Sequence, residues 1–566
     1  MRRWVEREIE QESVNRLVIE LDIHRLLARI LVARGMDTLD KAKLYLKPSL
    51  SDLPDPDALA GMQEACQRLM QALSKGERIG IFGDYDVDGV TSSVTLAEFL
   101  ESLGASVFVT LPNRLTEGYG LSQAGLERLE AQGVHLLITV DCGVTAHEEI
   151  ALARSKGIDV IVIDHHTVPV NLPEAVAVIN PHREDCHRNA EHLCAVGVVF
   201  NLCIALRKSL RERGFFQTRP EPNLLRLLDL VALGTVADVV PLIEDNRIFV
   251  QKGLELIRKS PRPGIKALLD AAGVDLHKVN SGTLGFHLGP RINAAGRLDN
   301  AMSAFELLRS KDYSAALTIA EQLDAANQER RELERHIVAE ALNEIATNDQ
   351  HRNAMIYVLG RDSWHPGVVG IVASRLVEKT GKPSLVIGTN GKGSGRSIPG
   401  FHLHEALCAV QDVLIGFGGH AHAVGVHVDW ENFELLQDAL QDHAAQVLKP
   451  EDLVPLIWHD GEIAPEDLGE DLIDWLAQAA PFGRSNAEPV FCLRNARVSQ
   501  VRELKGGHLK AELNATQPIE VIAFGMAEQR ALFDESVDLL VTPDRNEWMG
   551  RRRIQLRVKD IRASDR

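Results

Sequence analysis

The sequence predicts an α/β protein with a parallel sheet, a second α/β domain beyond a long connecting helix, and a small all-β domain at the C-terminus. Three observations predict it. Between about Ser51 and Leu242, apolar runs with little alternation ("RIGIFG", "SVFVTL", "HLLITV", "DVIVI", "AVAVI") alternate with helical patterns. Strands buried on both faces read this way, which implies a parallel sheet covered by helices. A second block begins near Ala354, where "AMIYVLG", the helical "GVVGIVASRLVEKTG" and "PSLVIG" form a βαβ unit. After about Lys449 the texture changes to short strands with turn signals between them, among them "PVFCLRNARVSQV", "IEVIAFGM" and "RRIQLRVKDI", as in a small barrel or sandwich.

In chain order, residues 1–50 read as a helical segment. Residues 51–245 carry the first sheet, and 246–350 are helical. Within that last region Leu317, Leu323, Leu333, Ile337, Ala341 and Ile345 fall near one stripe, as expected of a helix connecting two domains. Residues 351–448 form the second α/β domain and 449–566 the β-rich one. A chain of 566 residues is too long for one core, which agrees with several domains.

Composition narrows the class. An apolar fraction of 45% and a charged fraction of 25% are those of an ordinary globular protein. Seven cysteines, an odd count without a regular framework, point to a reducing cytosol, so a cytoplasmic protein is expected. The start, "MRRWVEREIEQESVN", has no apolar core for a signal peptide. No apolar run reaches membrane-spanning length; the best candidate, "LLDLVALGTVADVVPLI", carries Asp229 and Asp238. The net charge of −18 argues against a nucleic-acid partner only if charge is uniform. It is not: from Arg494 to the end there are 14 Lys and Arg against 11 Asp and Glu, a net +3. A basic face on an acidic protein is compatible with DNA or RNA.

The chemistry starts at "RIGIFGDYDVDGVTSS", where an apolar strand ends in Asp84, Asp86 and Asp88. Two carboxylates about 4 Å apart repel by roughly 4 kcal/mol at an effective dielectric of about 20, so a cation is expected among them. A calcium-binding EF-hand loop needs a bidentate Glu at its twelfth position, and Thr95 stands there. Haloacid-dehalogenase phosphatases share a strand-end Asp pair but leave "DHH" unexplained. Further strands end in Asp141 ("HLLITVDCG") and in Asp164, His165 and His166 ("DVIVIDHH"), and "LVALGTVADVVPL" supplies Asp238. In open α/β sheets the site lies outside the carboxyl ends of the strands. Mixed Asp and His donors there suit Mn²⁺ or Mg²⁺, as a pair of ions.

With "DYDVDG", "VDCG", "DHH" and "GTVADVVPL" in this order, the chain resembles the DHH phosphoesterases, and in detail the bacterial single-stranded-DNA exonucleases among them. "LPNRLTEGYGLS", "GPRINAAGRL", "WHPGVVGIVASRL", "GSGRS" and "GFGGHAHAVG" carry the same resemblance, which runs from about Leu46 to Val428 and more weakly beyond. Pyrophosphatases of the superfamily lack a β-rich tail, and a non-catalytic strand binder leaves the metal donors unexplained. The resemblance implies a DHH domain, a DHH-associated domain and an OB-fold, and removal of mononucleotides from a 5′ end by two-metal hydrolysis. Asp86, Asp88, Asp141, His165 and Asp238 are then the expected metal ligands, with Asp84 as a ligand or its neighbour. His166 would orient the phosphate or protonate the leaving group. The same resemblance implies strand and 5′-phosphate binding by Arg114, Arg291, Asn293, Arg297, His365, Ser394, Arg396, Ser397 and His420. In "GKGSGRS" glycines would let backbone amides approach a phosphate that Arg396 grips. It also implies a monomer working with single-strand DNA-binding protein and a RecQ-type helicase in recombination and mismatch repair. In the tail, Arg494, Arg497, Arg502, Lys505, Lys510 and Arg551 to Arg553 would guide the strand, while most of Phe491, Phe524, Phe533 and Trp548 belong to a core. Cys186, His187, His192 and Cys194 fit no zinc pattern and are expected in a surface loop.

Overall fold

The computed structural model describes residues 2–113, 116–298, 301–515, 517–548 and 551–564, and of 297, 298, 547, 548, 551 and 552 the backbone alone. The chain divides into two compact units. One is Glu6–Leu323 with Trp458–Arg566, and the other is Asp324–Ile457 with the N-terminal residues up to Val5. The division falls inside the expected long helix, which spans Tyr313–Thr347.

The first element corrects the all-helical reading of residues 1–50. It is a strand, β1 (Arg3–Glu6), followed by helices Gln11–Leu21, Arg25–Ala33 and Leu39–Leu46. Nothing local marks the strand, because its partner lies near the other end of the chain: the Arg3 amide donates to the Pro455 carbonyl.

The large unit holds a five-stranded sheet of β2 (Arg78–Gly83), β3 (Ser106–Thr110), β4 (Leu136–Val140), β5 (Asp159–Ile163) and β6 (Ala177–Ile179). Their order is β3-β2-β4-β5-β6, and every neighbouring pair is parallel. All of β4 and most of β2 and β5 are buried, as their unalternating Val, Ile and Leu predict. From β2 the chain steps to one side for β3 and to the other for β4. The carboxyl ends of β2 and β4 therefore face a crevice at the topological switch point. Helix Val87–Ser102 leaves β2 through the aspartate run and is buried almost all round. A side chain on Gly89 would lie 2.4 Å from the Asp84 carbonyl oxygen, so only glycine lets this helix start so close to the strand end.

The second unit contains β7 (Tyr357–Gly360), β8 (Ser384–Ile387), β9 (Lys392–Arg396), β10 (Gly416–Gly419) and β11 (Ala423–His427), ordered β10-β11-β9-β8-β7. The predicted βαβ unit is present: β7 and β8 are parallel, with helix Val369–Thr380 between them in sequence. The remaining pairs are antiparallel.

Beyond β12 (Leu456–His459), the C-terminal part of the large unit holds six strands. They are β13 (Phe491–Ala496), β14 (Val498–Leu504), β15 (His508–Leu513), β16 (Ile519–Ala523), β17 (Val537–Trp548) and β18 (Arg551–Ala563). The sheet runs β13-β17-β18-β16-β15-β14, with β16 and β18 parallel. Its core is not its own. Leu17, Leu27 and Leu31 of the N-terminal helices pack in one cluster with Leu472, Phe491, Leu539 and Leu556. Two segments that read as separate pieces at opposite ends of the sequence thus form one folding unit.

Candidate metal centre

The aspartate run is organised by two helix N-termini. Asp86 caps helix Val87–Ser102: its Oδ1 accepts from the amides of Asp88 (2.9 Å) and Gly89 (3.1 Å). Asp88, buried in the first turn, turns instead to helix Ala195–Glu212, with Oδ2 accepting from the Ala195 amide (2.6 Å) and Oδ1 from Val196 (2.9 Å). Helix N-termini favour negative charge, so both carboxylates are held where they are needed.

The other donors come from the ends of β4 and β5 and from a buried helix. Asp141 follows β4 at φ 63°, a left-handed conformation that aspartate tolerates better than most residues. Asp164 follows β5 and works as an organiser. Its Oδ1 accepts from the amides of His165 (2.8 Å) and His166 (3.1 Å) and lies 2.7 Å from His166 Nδ1, while Oδ2 accepts from the Val144 amide (3.0 Å). Asp238 ends the apolar helix Leu228–Ala237.

These segments converge. His165 Nε2 lies 3.2 Å from Asp141 Oδ1, 3.7 Å from Asp238 Oδ2 and 3.8 Å from Asp88 Oδ2. Asp141 Oδ1, His165 Nε2 and Asp238 Oδ2 are buried and have no hydrogen-bond partner among the described residues. Buried polar atoms are normally satisfied, so three such atoms close together could hold a cation. Three sets of donors each lie within 4.8 Å of one another: Asp84, Asp86 and Asp141; Asp141, His165 and His166; Asp88, Cys194 and Asp238. Asp141 belongs to two of them, as a ligand shared by a pair of ions would. Carboxylate and imidazole donors in this ratio fit Mn²⁺ or Mg²⁺.

The crowded, buried carboxylates raise one another's pKa values. Burial, then the charge of Asp86, pushes the Asp88 carboxyl up to about 7. Burial, then Asp88 and Asp86, pushes Asp238 up to about 9. Asp141 is raised well above the carboxylate range by burial and by its four acidic neighbours. Burial, then neighbouring His166, drives His165 down to about 3, so its imidazole stays neutral and able to ligate. Burial alone would lower His166, but its bond to Asp164 outweighs this and raises it. A carboxyl raised on folding stabilises the cation-free protein most below its unfolded value of about 4, and that contribution is lost as pH climbs through the folded values. Cations replace the missing protons. The gain in melting temperature on adding Mn²⁺ is therefore expected to be larger at about pH 8 than at about pH 5. Calorimetry checks this, and an equal gain at both would contradict it.

Several residues reach the site without having been read from the sequence. The Tyr119 hydroxyl lies 3.2 Å from the Asp141 carbonyl oxygen and 3.2 Å from His166 Nδ1, bracing the two strand ends. Cys194 is buried beside Asp88 and Asp238, and burial with those charges keeps its thiol protonated. The expected surface loop around it is thus corrected: His192 and Cys194 are buried, since Cys194 begins the helix that grips Asp88. Among the described residues no metal-binding set contains Cys186, His187 or His192.

Family models match along the chain in the order of its structural parts: the DHH family, N-terminal domain, over residues 78–235, the DHHA1 domain over 352–446, and the RecJ OB domain over 459–560. A single-stranded-DNA-specific exonuclease RecJ from Dickeya dadantii is 39% identical over 95% of this chain and 96% of its own length. The chain belongs to the RecJ family. Two RecJ crystal structures from Thermus thermophilus extend the match to the whole chain. The Mn²⁺ complex is 30% identical, with a TM-score of 0.84 over 80% of its length; the Mg²⁺ complex is 29% identical, with a TM-score of 0.78 over 78%.

The strand-binding residues inferred from RecJ-type motifs fall in several places. Arg114 and the Arg297 side chain lie outside the described residues. Asn293 Oδ1 accepts from the Val87 amide (3.2 Å), tying helix Gly289–Leu298 to the aspartate run. Arg291 Nη1 donates to the His287 carbonyl (2.7 Å). In the second unit, "GSGRS" is no phosphate-cradling turn. It is strand β9, in the interior of its sheet, with its backbone paired to β8 and β11. Its glycines serve packing: a Cβ on Gly395 would stand 2.6 Å from Leu403 Cδ2 and 2.7 Å from Val424 Cγ2. Arg396 Nη1 donates to Ser394 Oγ (2.9 Å), and Gly370, in the first turn of helix Val369–Thr380, leaves room for both side chains. Ser397 Oγ donates to the Phe401 carbonyl (2.7 Å), His365 Nδ1 accepts from the Gly367 amide (3.0 Å), and His420 is exposed on a hairpin.

In the RecJ OB region, Arg494 is engaged with Asp538 and Glu462, and Lys510 with Glu520. Arg497, Arg502 and Lys505 are exposed. Phe491 and Phe533 are core, whereas Phe524 is exposed and packs edge-on against His508. The side chains of Trp548, Arg551 and Arg552 lie outside the described residues, and Arg553 is exposed.

Proposed function

We propose that the chain is a single-stranded-DNA-specific exonuclease that hydrolyses the strand from its 5′ end to mononucleotides with two Mn²⁺ or Mg²⁺ ions. The observation that carries this reading is the convergence of Asp141 Oδ1, His165 Nε2 and Asp238 Oδ2, buried and without hydrogen-bond partners among the described residues, next to Asp86 and Asp88. Family membership supports the substrate, since the relatives are named for single-stranded-DNA-specific cleavage.

In this reading Asp86, Asp88, Asp141, His165 and Asp238 hold the cations, and Asp84 stands beside them or ligates. Bound divalent cations neutralise phosphoryl charge and lower the pKa of water. Asp164, by binding His166 Nδ1, turns the other ring nitrogen toward the strand, where it holds a proton for the departing 3′-oxygen. The Tyr119 hydroxyl lies against the same ring nitrogen and helps to fix the ring. Arg114, Arg291, Asn293, Arg297, His365, Ser394, Arg396, Ser397 and His420 contact the strand and its 5′-phosphate. Arg497, Arg502 and Lys505, exposed on the OB region, guide the strand electrostatically. The functional parts are an N-terminal segment (1–50), a DHH domain (51–245), a helical region (246–350), a DHH-associated domain (351–448) and the OB domain (449–566). The wider setting is that implied by the motifs: a cytoplasmic monomer, acting with single-strand DNA-binding protein and a RecQ-type helicase in recombination and mismatch repair. No helix among the described residues is long and apolar enough to cross a membrane.

The test is digestion of one oligonucleotide labelled at either end, with and without Mn²⁺, beside a blunt duplex and a closed single-stranded circle. Early release of labelled mononucleotide from the 5′ end only, dependent on the metal, is expected. Efficient cutting of the circle would show an endonuclease, and efficient cutting of the blunt duplex would remove the strand specificity.

A further inference from the structure

The C-terminal region touches the metal site through one turn. Residues 481–486 lie against the segment that follows Asp238, and Arg484 holds that segment at two points. Its Nη1 donates to the Val239 carbonyl (3.3 Å), and its own carbonyl accepts from the Leu242 amide (2.9 Å). Val239 needs holding. It sits at φ 59°, a left-handed conformation that a β-branched residue adopts only under strain of order 1–3 kcal/mol. The residue is 59% exposed, so packing does little to impose the conformation.

The turn that carries Arg484 is itself rigid. Asn486 is buried; its amide nitrogen donates to the carbonyls of Ala479 (2.9 Å) and Pro481 (2.7 Å), and its Oδ1 accepts from the Tyr45 hydroxyl (2.6 Å). Gly483 and Asn486 exchange backbone hydrogen bonds. Buried Arg247 stacks 3.7 Å over the Tyr45 ring and donates to the carbonyls of Gln478 and Ala479. A buried polar network of this kind, fully engaged, fixes one geometry.

We propose that Arg484 is a positioning residue of the metal site. By holding the Val239 carbonyl it fixes the strained residue that follows Asp238, so that Asp238 Oδ2 faces His165 Nε2. The guanidinium makes no ion pair with Asp238 among the described residues, so it acts through the backbone. The C-terminal region would then complete a cation site whose ligands all come from the DHH domain. This inference rests on the reading of Asp88, Asp141, His165 and Asp238 as metal ligands.

The sign of the effect separates positioning from simple electrostatics. Arg484 is positive, so its removal would tighten cation binding if charge were all that mattered. Loss of positioning loosens it. The experiment is titration of the full chain with Mn²⁺ in the absence of DNA, following free Mn²⁺ by electron paramagnetic resonance. Arg484→Met keeps the aliphatic stem and removes the donor. It is expected to weaken Mn²⁺ binding about tenfold, the lower end of what loss of an orienting partner costs. Arg530→Met, which breaks an exposed ion pair with Asp534 in the same region, is expected to change nothing. Equal or tighter binding by Arg484→Met overturns the inference. If the unaltered chain binds no Mn²⁺, the metal-site reading itself fails. Should Arg484→Met melt at the temperature of titration, Arg484→Lys replaces it, because lysine keeps the charge without the planar fork: weaker binding supports the inference and unchanged binding overturns it.

Discussion

Asp141→Ala is expected to reduce cleavage by roughly a thousandfold or more, about 4 kcal/mol of transition-state stabilisation, while the chain stays folded. Asp141 is the donor that two sets of candidate ligands share, so its loss weakens both cation positions at once. Removing any other single carboxylate leaves two of the three sets whole, whereas removing Asp141 leaves one. The fold should survive because the carboxylate is a net burden without a cation: it is buried among Asp84, Asp86, Asp88 and Asp238, and its pKa is driven up accordingly. The backbone qualifies the choice of variant. At φ 63°, alanine pays the left-handed penalty of roughly 1–2 kcal/mol, whereas asparagine tolerates that region. Asp141→Asn should therefore be inactive and, without metal at neutral pH, more stable than the unaltered chain; Asp141→Ala should be inactive with the two effects opposed. Turnover numbers at saturating Mn²⁺ and metal-free melting curves for both variants give the answer. Near-normal turnover by either variant would falsify the assignment.

A chain cut after Ile457 is expected to lose its N-terminal fold as well as its tail. From the sequence the tail reads as an electrostatic guide for the strand, whose removal after about Lys449 weakens DNA binding, flattens its salt dependence and spares the metal site, the ligands of which all lie before Leu242. The shared core says otherwise. Leu17, Leu27, Leu31 and Ile30 are fully buried in the cluster completed by Leu472, Phe491, Leu539 and Leu556. Each such side chain is worth about 1.5–3 kcal/mol when covered, so uncovering four removes an amount comparable to the whole stability of about 5–15 kcal/mol of a typical domain. The cut also takes away the carbonyls of Gln478 and Ala479 that accept from buried Arg247, leaving a buried guanidinium short of acceptors. Limited proteolysis should cleave the truncated chain rapidly within residues 6–46 and spare that segment in the full chain. Equal protection in both would mean that the N-terminal helices stand alone.

What the sequence determined by itself is the class of the large sheet and most of the donor set. Unalternating runs of Val, Ile and Leu leave a local signature of burial on both faces. A polar residue directly after such a run must lie at the carboxyl edge of the sheet, which is why Asp84, Asp86, Asp88, Asp141 and His165 could be grouped before their distances were known. Tertiary structure alone decided the rest. Tyr119, Cys194 and Arg484 reach the site from segments far from it in sequence, through one side chain each, and a single tyrosine or arginine in a turn carries no periodic signal. From the sequence the glycines of "GKGSGRS" read equally as a phosphate-binding loop or as a polar turn between strands, and neither reading is the packed strand β9. A glycine specifies only that a Cβ is unwelcome, and the neighbour that excludes it, here Leu403 and Val424, belongs to the fold. The joint core of the two chain ends was likewise invisible, because an amphipathic helix shows that one face is to be buried and says nothing of which distant strand will cover it.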